Sequence, residues 1–263
     1  MSDLTGKSIV ITGAAMGLGQ AAAQVCAASG ASLTLVDFNE KALNETAADI
    51  RKAHPDAQIT TVSADVSQEE EVKKYVAAAM DAYGRIDGFN NNAGIEGKQA
   101  PMAEYDLAVF EKVIEINLMG VYYGLRHILP IMVKQAYGRI VNVASVGGIR
   151  GVLHQSPYVA SKHAVSGMTK TAALEYAKHG ITANAIAPGA ILTPMVAGAF
   201  RQMNPADPKA AETEYAKDNP SKRLGLPVEV ANVVAFLLSD DCSYVNGQTI
   251  AIDGGQSNAY GPV

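Results

Sequence analysis

Cysteine is scarce in this sequence, tryptophan is absent, and charged residues make up only 18% of it. Two cysteines, Cys26 and Cys242, are too few for a disulfide framework and have no metal-ligand spacing. They point to a reduced compartment. The five histidines, His54, His127, His154, His163 and His179, show no i,i+4 pairing, so no metal site is expected. Lysine and arginine are scattered, in small groups such as Lys73-Lys74 and Lys222-Arg223, and the net charge is −5. Nucleic acid needs a concentrated basic patch and is excluded as a partner. No apolar run reaches the roughly 18 residues that would span a bilayer. Met1 to Lys7 leads almost directly into a strand pattern, with no room for a signal peptide. A cytoplasmic protein that binds neither membrane nor nucleic acid is predicted.

What the chain does have is apolar content, 48% over 263 residues, enough for a sizeable core. Short β-branched runs alternate with longer helix-period segments. Strands are predicted at 8–12, 32–36, 59–63, 86–90, 139–143, 182–187 and 249–252. Helices are predicted at 18–28, 40–52, 69–83, 107–134, 157–179 and 228–238. Strands without clean in/out alternation, separated by helices, predict a parallel sheet covered on both faces. The expected fold is α/β: one Rossmann-type, doubly wound domain over residues 1–263, with about seven strands. Residues 189–226 interrupt this rhythm with two weak helical patterns. A long insertion in a compact domain is commonly functional, and a lid over a substrate is predicted.

The first strand ends in a glycine turn that opens a helix: Thr12-Gly13-Ala14-Ala15-Met16-Gly17-Leu18-Gly19. Gly13 permits the tight turn, Gly17 lets the backbone approach a pyrophosphate, and Gly19 allows close helix packing. The helix start then offers free N–H groups and a positive dipole end to the anion. The second strand ends in Asp37, some 20 or more residues past the first glycine, where a carboxylate holds ribose hydroxyls. Such a carboxylate repels a 2′-phosphate, and Met16 and Phe38 stand where a cation would be needed to bind one. NAD is the expected cofactor.

These motifs, and those that follow, resemble the short-chain dehydrogenase/reductase family along essentially the whole chain. Thr12–Gly19 matches its glycine motif, and Asn91-Asn92-Ala93-Gly94 its N-N-A-G. Tyr158-Val159-Ala160-Ser161-Lys162 matches its Y-x-x-x-K, with Ser145 upstream and Asn117 as the family's asparagine. The resemblance implies that Asp65-Val66 contacts adenine. It implies further cofactor contacts from Met16, Leu18, Phe38, Asn92, Gly94, Tyr158 and Lys162. Pro188, Gly189, Ile191 and Thr193 match the segment that meets the nicotinamide. Stretches 91–99, 144–151, 184–196, 219–223 and 252–257 resemble members that reduce cyclic diketones. Family members commonly form tetramers through the 107–134 and 157–179 helices and the C-terminal strand, so a homotetramer is implied. One residue departs from the pattern: Asn90 stands where the strand would end on an apolar side chain. A buried amide there needs partners or costs roughly 1–3 kcal/mol.

The residue types suit hydride transfer between a ketone and a secondary alcohol. The alkoxide formed must be protonated, and a phenol with a pKa of about 10 needs help near neutrality. Lys162, at i+4 from Tyr158, shares a helix face with it and favours the phenolate. Ser156 and Pro157 are expected as N-cap and first helical residue. Ser145 can donate to the carbonyl oxygen, and the resemblance gives Asn117 a water linking Lys162 to solvent. The predicted substrate pocket is mainly apolar, with Ile95, Val146, Gly147, Leu153, Met195, Val196, Phe200 and Met203 around Ser145 and Tyr158. Glu96 and Gln155 are its polar anchors, and it suits neutral cyclic, aryl or branched ketones. Two other classes of protein fit these residues less well. A serine hydrolase lacks its G-x-S-x-G elbow, and a non-catalytic NAD-binding scaffold would be expected to lose one of Ser145, Tyr158 or Lys162.

Overall fold

The computed structural model describes residues 2–259. Seven parallel strands form one sheet: β1 (Ser8–Thr12), β2 (Ser32–Asp37), β3 (Ile59–Ser63), β4 (Gly88–Asn91), β5 (Gly138–Val143), β6 (Ile181–Pro188) and β7 (Thr249–Ile252). Their order is β3-β2-β1-β4-β5-β6-β7, the doubly wound arrangement expected. The helices are α1 (Gly17–Ala28), α2 (Glu40–Ala53), α3 (Glu69–Tyr83), α4 (Leu107–Ile114), α5 (Gly120–Gln135), α6 (Ser156–Tyr176), α7 (Pro194–Met203), α8 (Pro208–Asp218) and α9 (Pro227–Leu238).

Both faces of the sheet are buried, which is why its strands lack polar alternation. In β1, Ile9 and Ile11 pack against α1, α2 and α9, whereas Val10 faces a second cluster with Phe89 and residues of α3, α5 and α6. After β3 the chain crosses back to pair β4 with β1, so successive crossovers diverge on either side of β1. A crevice outside the carboxyl ends of these two strands is the ligand position this topology creates.

Two local expectations need correction. Residues 107–134 do not form one helix, because α4 and α5 are joined by a π turn, Glu115–Met119. Ser156 is not the N-cap of α6 but lies in its first turn, behind Gln155, and its hydroxyl has no partner among the described residues. Asn90 is buried between β1 and β5, and its Oδ1 likewise finds no partner there.

The 189–226 segment contains α7 and α8. Proline starts each helix, and Thr193 and Asp207 cap them through their side chains. Its base is closed by a short parallel bridge: Gly225 N–H donates to Ala190 O (3.0 Å) and Leu192 N–H to Gly225 O (2.9 Å). Of the residues of α7 and α8, only Phe200 is buried, against the Tyr215 ring.

Candidate active site

The glycine turn is held by contacts that leave no room for side chains. Gly13 and Gly17 both have positive φ, +66° and +61°. A β-carbon on Gly19 would overlap the Gly13 carbonyl, so α1 could not start where it does. Thr12 Oγ1 accepts from the N–H groups of Asn92 (2.9 Å) and Ala93 (3.0 Å). The Asn92 amide donates back to Thr12 O (2.8 Å) and Gly13 O (3.2 Å). Asn92 therefore braces the turn with its side chain. Thr12 was not singled out from sequence, and its only signal is a hydroxyl at the strand end just before the turn.

Asp37 is buried at the tip of β2. Its two carboxylate oxygens accept from Ala15 N–H and Asn39 N–H, both at 3.0 Å. It has no cationic partner among the described residues, and Asn39 rather than Asp37 caps α2. Met16 and Phe38 flank it with largely exposed side chains, Phe38 at 77%. Asp65 is turned inward on Ser67, accepting from its N–H and hydroxyl, while Val66 packs closely against Gly120 at the start of α5. Gly189 lies against Asp253, where a β-carbon would clash, and Thr193 lies within van der Waals reach of the Gly17 turn. Gly13, Gly17, Asp37, Asn92 and Thr193 thus converge around the carboxyl ends of β1, β2 and β4. The positive-φ glycines, the buried Asp37 carboxylate and the helix N-terminus fit a dinucleotide cofactor.

The second constellation lies beyond β5. Ser145 follows that strand, and its Oγ accepts from Gly147 N–H (3.1 Å). Gly147 faces the Tyr158 ring, and Gly148 packs so closely on the Lys162 carbonyl that a side chain there would clash. These glycines let the Ser145 loop lie directly on α6, which delivers Tyr158 from its first turn. The Tyr158 phenol is pushed above its ordinary value by burial. A hydrogen bond with Ser145 pulls it down, and the charge of Glu96 pushes it up.

Lys162 is almost fully buried and donates to Val143 O (2.7 Å). Burial lowers its ammonium to about 8. Its Nζ lies 5.6 Å from the centre of the Tyr158 ring, within cation–π range. Burial is the largest influence on both groups. Asn117, in the π turn, is completely buried. Its side chain accepts from Ile95 N–H and donates to Ile95 O, both at 2.8 Å, and reaches Ser161 Oγ at 3.3 Å. The side-chain amide is thus occupied in binding the loop after β4, a contact that no spacing in the sequence marks. Gly94 lies beside Asn117 and Lys162, with no room to spare.

Glu96 and Gln155 do meet: the Gln155 amide donates to Glu96 Oε1, and Gln99 donates to the same oxygen (3.2 Å). Met195 and Val196 stand at the start of α7, Met195 with 40% of its surface exposed. Phe200 is not free to line this site as expected, because it is packed inside the 189–226 segment. A residue missed from sequence, Gln202 of α7, accepts from Gln99 N–H (3.0 Å) and donates to Gly97 O (3.4 Å). A cleft of about 510 Å³ lies elsewhere, between α8 and residues 222–226, and includes neither Ser145 nor Tyr158.

Residues 13–257 match a family model described as enoyl-(acyl carrier protein) reductase. Levodione reductase of Leifsonia aquatica is 52% identical over 97% of this chain and 96% of its own. A crystal structure of levodione reductase superposes with a TM-score of 0.97, covering 98% of this chain and all of the other. Cyclohexanol dehydrogenase of an Acinetobacter species is 38% identical over 94% of each chain. A structure of NAD+-bound xylitol dehydrogenase gives a TM-score of 0.92 at 34% identity, covering 96% of this chain and 99% of that one. The glycine turn, the N-N-A-G loop and the Ser145–Tyr158–Lys162 constellation lie in one crevice of a seven-stranded parallel sheet. With that geometry and these relatives, the chain belongs to the short-chain dehydrogenase/reductase family and is an oxidoreductase.

Proposed function

We propose that this oxidoreductase uses NAD(H) to interconvert neutral ketones and secondary alcohols, with cyclic, aryl or branched ketones as substrates. The observation that carries the reading is the convergence of Ser145 and Tyr158 on Gly147, which binds the Ser145 hydroxyl and faces the Tyr158 ring, with Lys162 buried on the same helix one turn on. When bound, nicotinamide supplies the hydride to the carbonyl carbon or takes it back. Ser145 then donates a hydrogen bond to the carbonyl oxygen as charge develops on it. Tyr158 gives that oxygen its proton, and in the reverse direction removes it. The Lys162 cation stabilises the phenolate left behind, and Asn117 fixes the loop that carries Gly94 and Ile95 beside it.

Asp37, unpaired with any cation among the described residues, supports NAD over NADP. Leu18, Asp65, Val66, Pro188, Gly189, Ile191 and Thr193 complete the proposed cofactor contacts. The 189–226 segment serves as the lid, bringing Met195 and Val196 over the substrate. No described cation pairs with Glu96, so a carboxylate or phosphate substrate would lack a charge-assisted partner there. The named substrates of levodione reductase and cyclohexanol dehydrogenase agree with a ring ketone. Cys26 and Cys242 are free, buried thiols, which suits a cytoplasmic setting. Exposed Leu107 and Leu174, on α4 and α6, suit a homotetramer. The test is nicotinamide absorbance with purified protein, NADH and a panel of ring ketones, keto acids and phosphorylated ketoses. Faster turnover of the neutral ring ketones supports the proposal, and a hundredfold preference for either anion contradicts it.

A further inference from the structure

The turn after β7 gathers the 189–226 segment at three points. At its head, Gly189 N–H donates to Ile252 O (3.0 Å), and a β-carbon on Gly189 would strike Asp253 and touch Gln256 Oε1. At its tail, the buried Asn219 donates from its side-chain amide to Asp253 O (2.9 Å). Asn219 and Ser221 also lie so close to Gly254 that a side chain there would clash. Between head and tail, Tyr215 extends from α8. Its hydroxyl donates to Gln256 Oε1 (3.1 Å) and accepts from Gln256 Nε2 (2.9 Å). The same ring meets Phe200, the buried residue of α7, edge-on with 5.7 Å between centroids. Little else holds α8: none of its residues is buried, and on another side it borders the open cleft of about 510 Å³. A helix with so little buried surface is placed by a few directed contacts.

We propose that Tyr215 and Gln256 form a latch that positions the 189–226 segment over the substrate. They are positioning residues: they act through Phe200 on α7, which carries Met195 and Val196, and not on the reacting atoms. The inference rests on the reading of Ser145 and Tyr158 as the site of the reacting carbonyl. A ketone bound beneath α7 needs the segment docked, so its apparent affinity scales with the docked fraction. Without the latch that fraction falls and KM rises. Once the segment is docked on bound substrate, Ser145 and Tyr158 meet the same carbonyl as before, so kcat holds. The base of the segment, beside Thr193, is tied separately by the bridge from Gly225 to Ala190 and Leu192. NADH affinity should therefore not change.

The test compares the full-length wild type with Tyr215→Phe, Gln256→Leu and the double variant, using NADH and the ring ketone that the wild type reduces best. Tyr215→Phe keeps the ring on Phe200 and removes only the hydroxyl. Each single change should raise KM for the ketone about three- to tenfold, the scale of a lost hydrogen bond or two. Turnover and NADH affinity, the latter by fluorescence titration, should stay within about twofold. The double variant should be no worse than the worse single one, because both changes remove the same interaction. Trypsin, which meets exposed Arg201, Lys209 and Lys217 on the segment, should cut it at least about threefold faster in every variant. Gln256→Leu decides the matter if Tyr215→Phe does not fold. A KM within twofold of wild type in the single variants overturns the proposal, as do single effects that multiply, a fall in kcat at unchanged KM, or cleavage at the wild-type rate. If the wild type reduces no neutral ketone, the carbonyl-site reading falls and takes this inference with it. If it reduces them and the variants behave as wild type, only this inference falls.

Discussion

The two ends of the crevice are built by different means. At the glycine turn, position is set by backbone: positive φ at Gly13 and Gly17, a helix start that excludes any β-carbon at Gly19, and Thr12 and Asn92 joining neighbouring strands. In the 189–226 segment, position is set by a few side chains on a mostly exposed pair of helices, with Gln202 the link to the Glu96 loop. Between them lies Lys162, a charge kept in the core against its own solvation. The difference teaches that the glycine-turn end is fixed by sterics, whereas the 189–226 end is held by individually weak bonds. Elements that open for ligands are drawn from the less stable parts of a fold.

The largest contrast is expected at Lys162. Lowering its ammonium from 10.5 to about 8 corresponds to roughly 3 kcal/mol against the charged form in the native state. Between pH 8 and 10.5 the unfolded chain keeps a proton that the native chain has released, so stability rises with pH across that window. Below it the buried cation remains a destabilising group. Lys162→Met should therefore lose at least about 10²-fold in turnover. At neutral pH it should also gain several degrees in Tm, at about 2–4 °C per kcal/mol for a chain of this size. Paired kinetics and calorimetry check this, and a less stable variant would contradict the account of burial. Ketone reduction in the wild type should likewise fall as pH rises through about 8, as Lys162 loses its proton.

The next effect sharpens the cofactor end. Asp37→Asn with Phe38→Arg keeps an acceptor for the turn, removes the anion and adds a phosphate partner. Its NADP to NAD ratio of kcat/KM should rise at least about tenfold, the scale of one charge-assisted hydrogen bond. An unchanged ratio would move cofactor choice to other residues. At the lid, Gln202→Ala removes two exposed hydrogen bonds. KM for ketone should rise about two- to tenfold with NADH affinity intact, as expected for about 0.5–1.5 kcal/mol. An equal rise for NADH would mean that the two ends are not separable. The smallest effect is at Asn90, whose Oδ1 is buried without a partner among the described residues. Asn90→Val should stabilise the protein by about 1 kcal/mol, read as a higher urea midpoint at unchanged activity.

Legibility in the sequence follows the same division. The glycine turn and the Tyr158–Lys162 pair could be read because each rests on local geometry: glycines where φ must be positive, and an i,i+4 spacing on one helix face. The sheet could be read because strands buried on both faces leave continuous apolar runs. The π turn at Asn117 could not, since it depends on an amide binding Ile95, 22 residues away. Gln202 meets partners more than 100 residues distant, and nothing in its neighbours marks it. The surroundings of Tyr158 are hidden for a related reason. Spacing places Lys162 near it, but burial depth and the competing Val143 carbonyl are properties of the folded core.

The central claim, that Tyr158 carries the proton for carbonyl reduction, is tested most directly by Tyr158→Phe. This change keeps the ring against Gly147 and removes only the hydroxyl. The measurement is kcat for a ring ketone that the wild type reduces, alongside NADH binding by fluorescence titration. The account predicts a loss of at least about 10²-fold in kcat, the lower end for general acid/base catalysis, with NADH affinity within twofold of wild type. Turnover near the wild-type rate, with NADH bound as tightly as before, would contradict it.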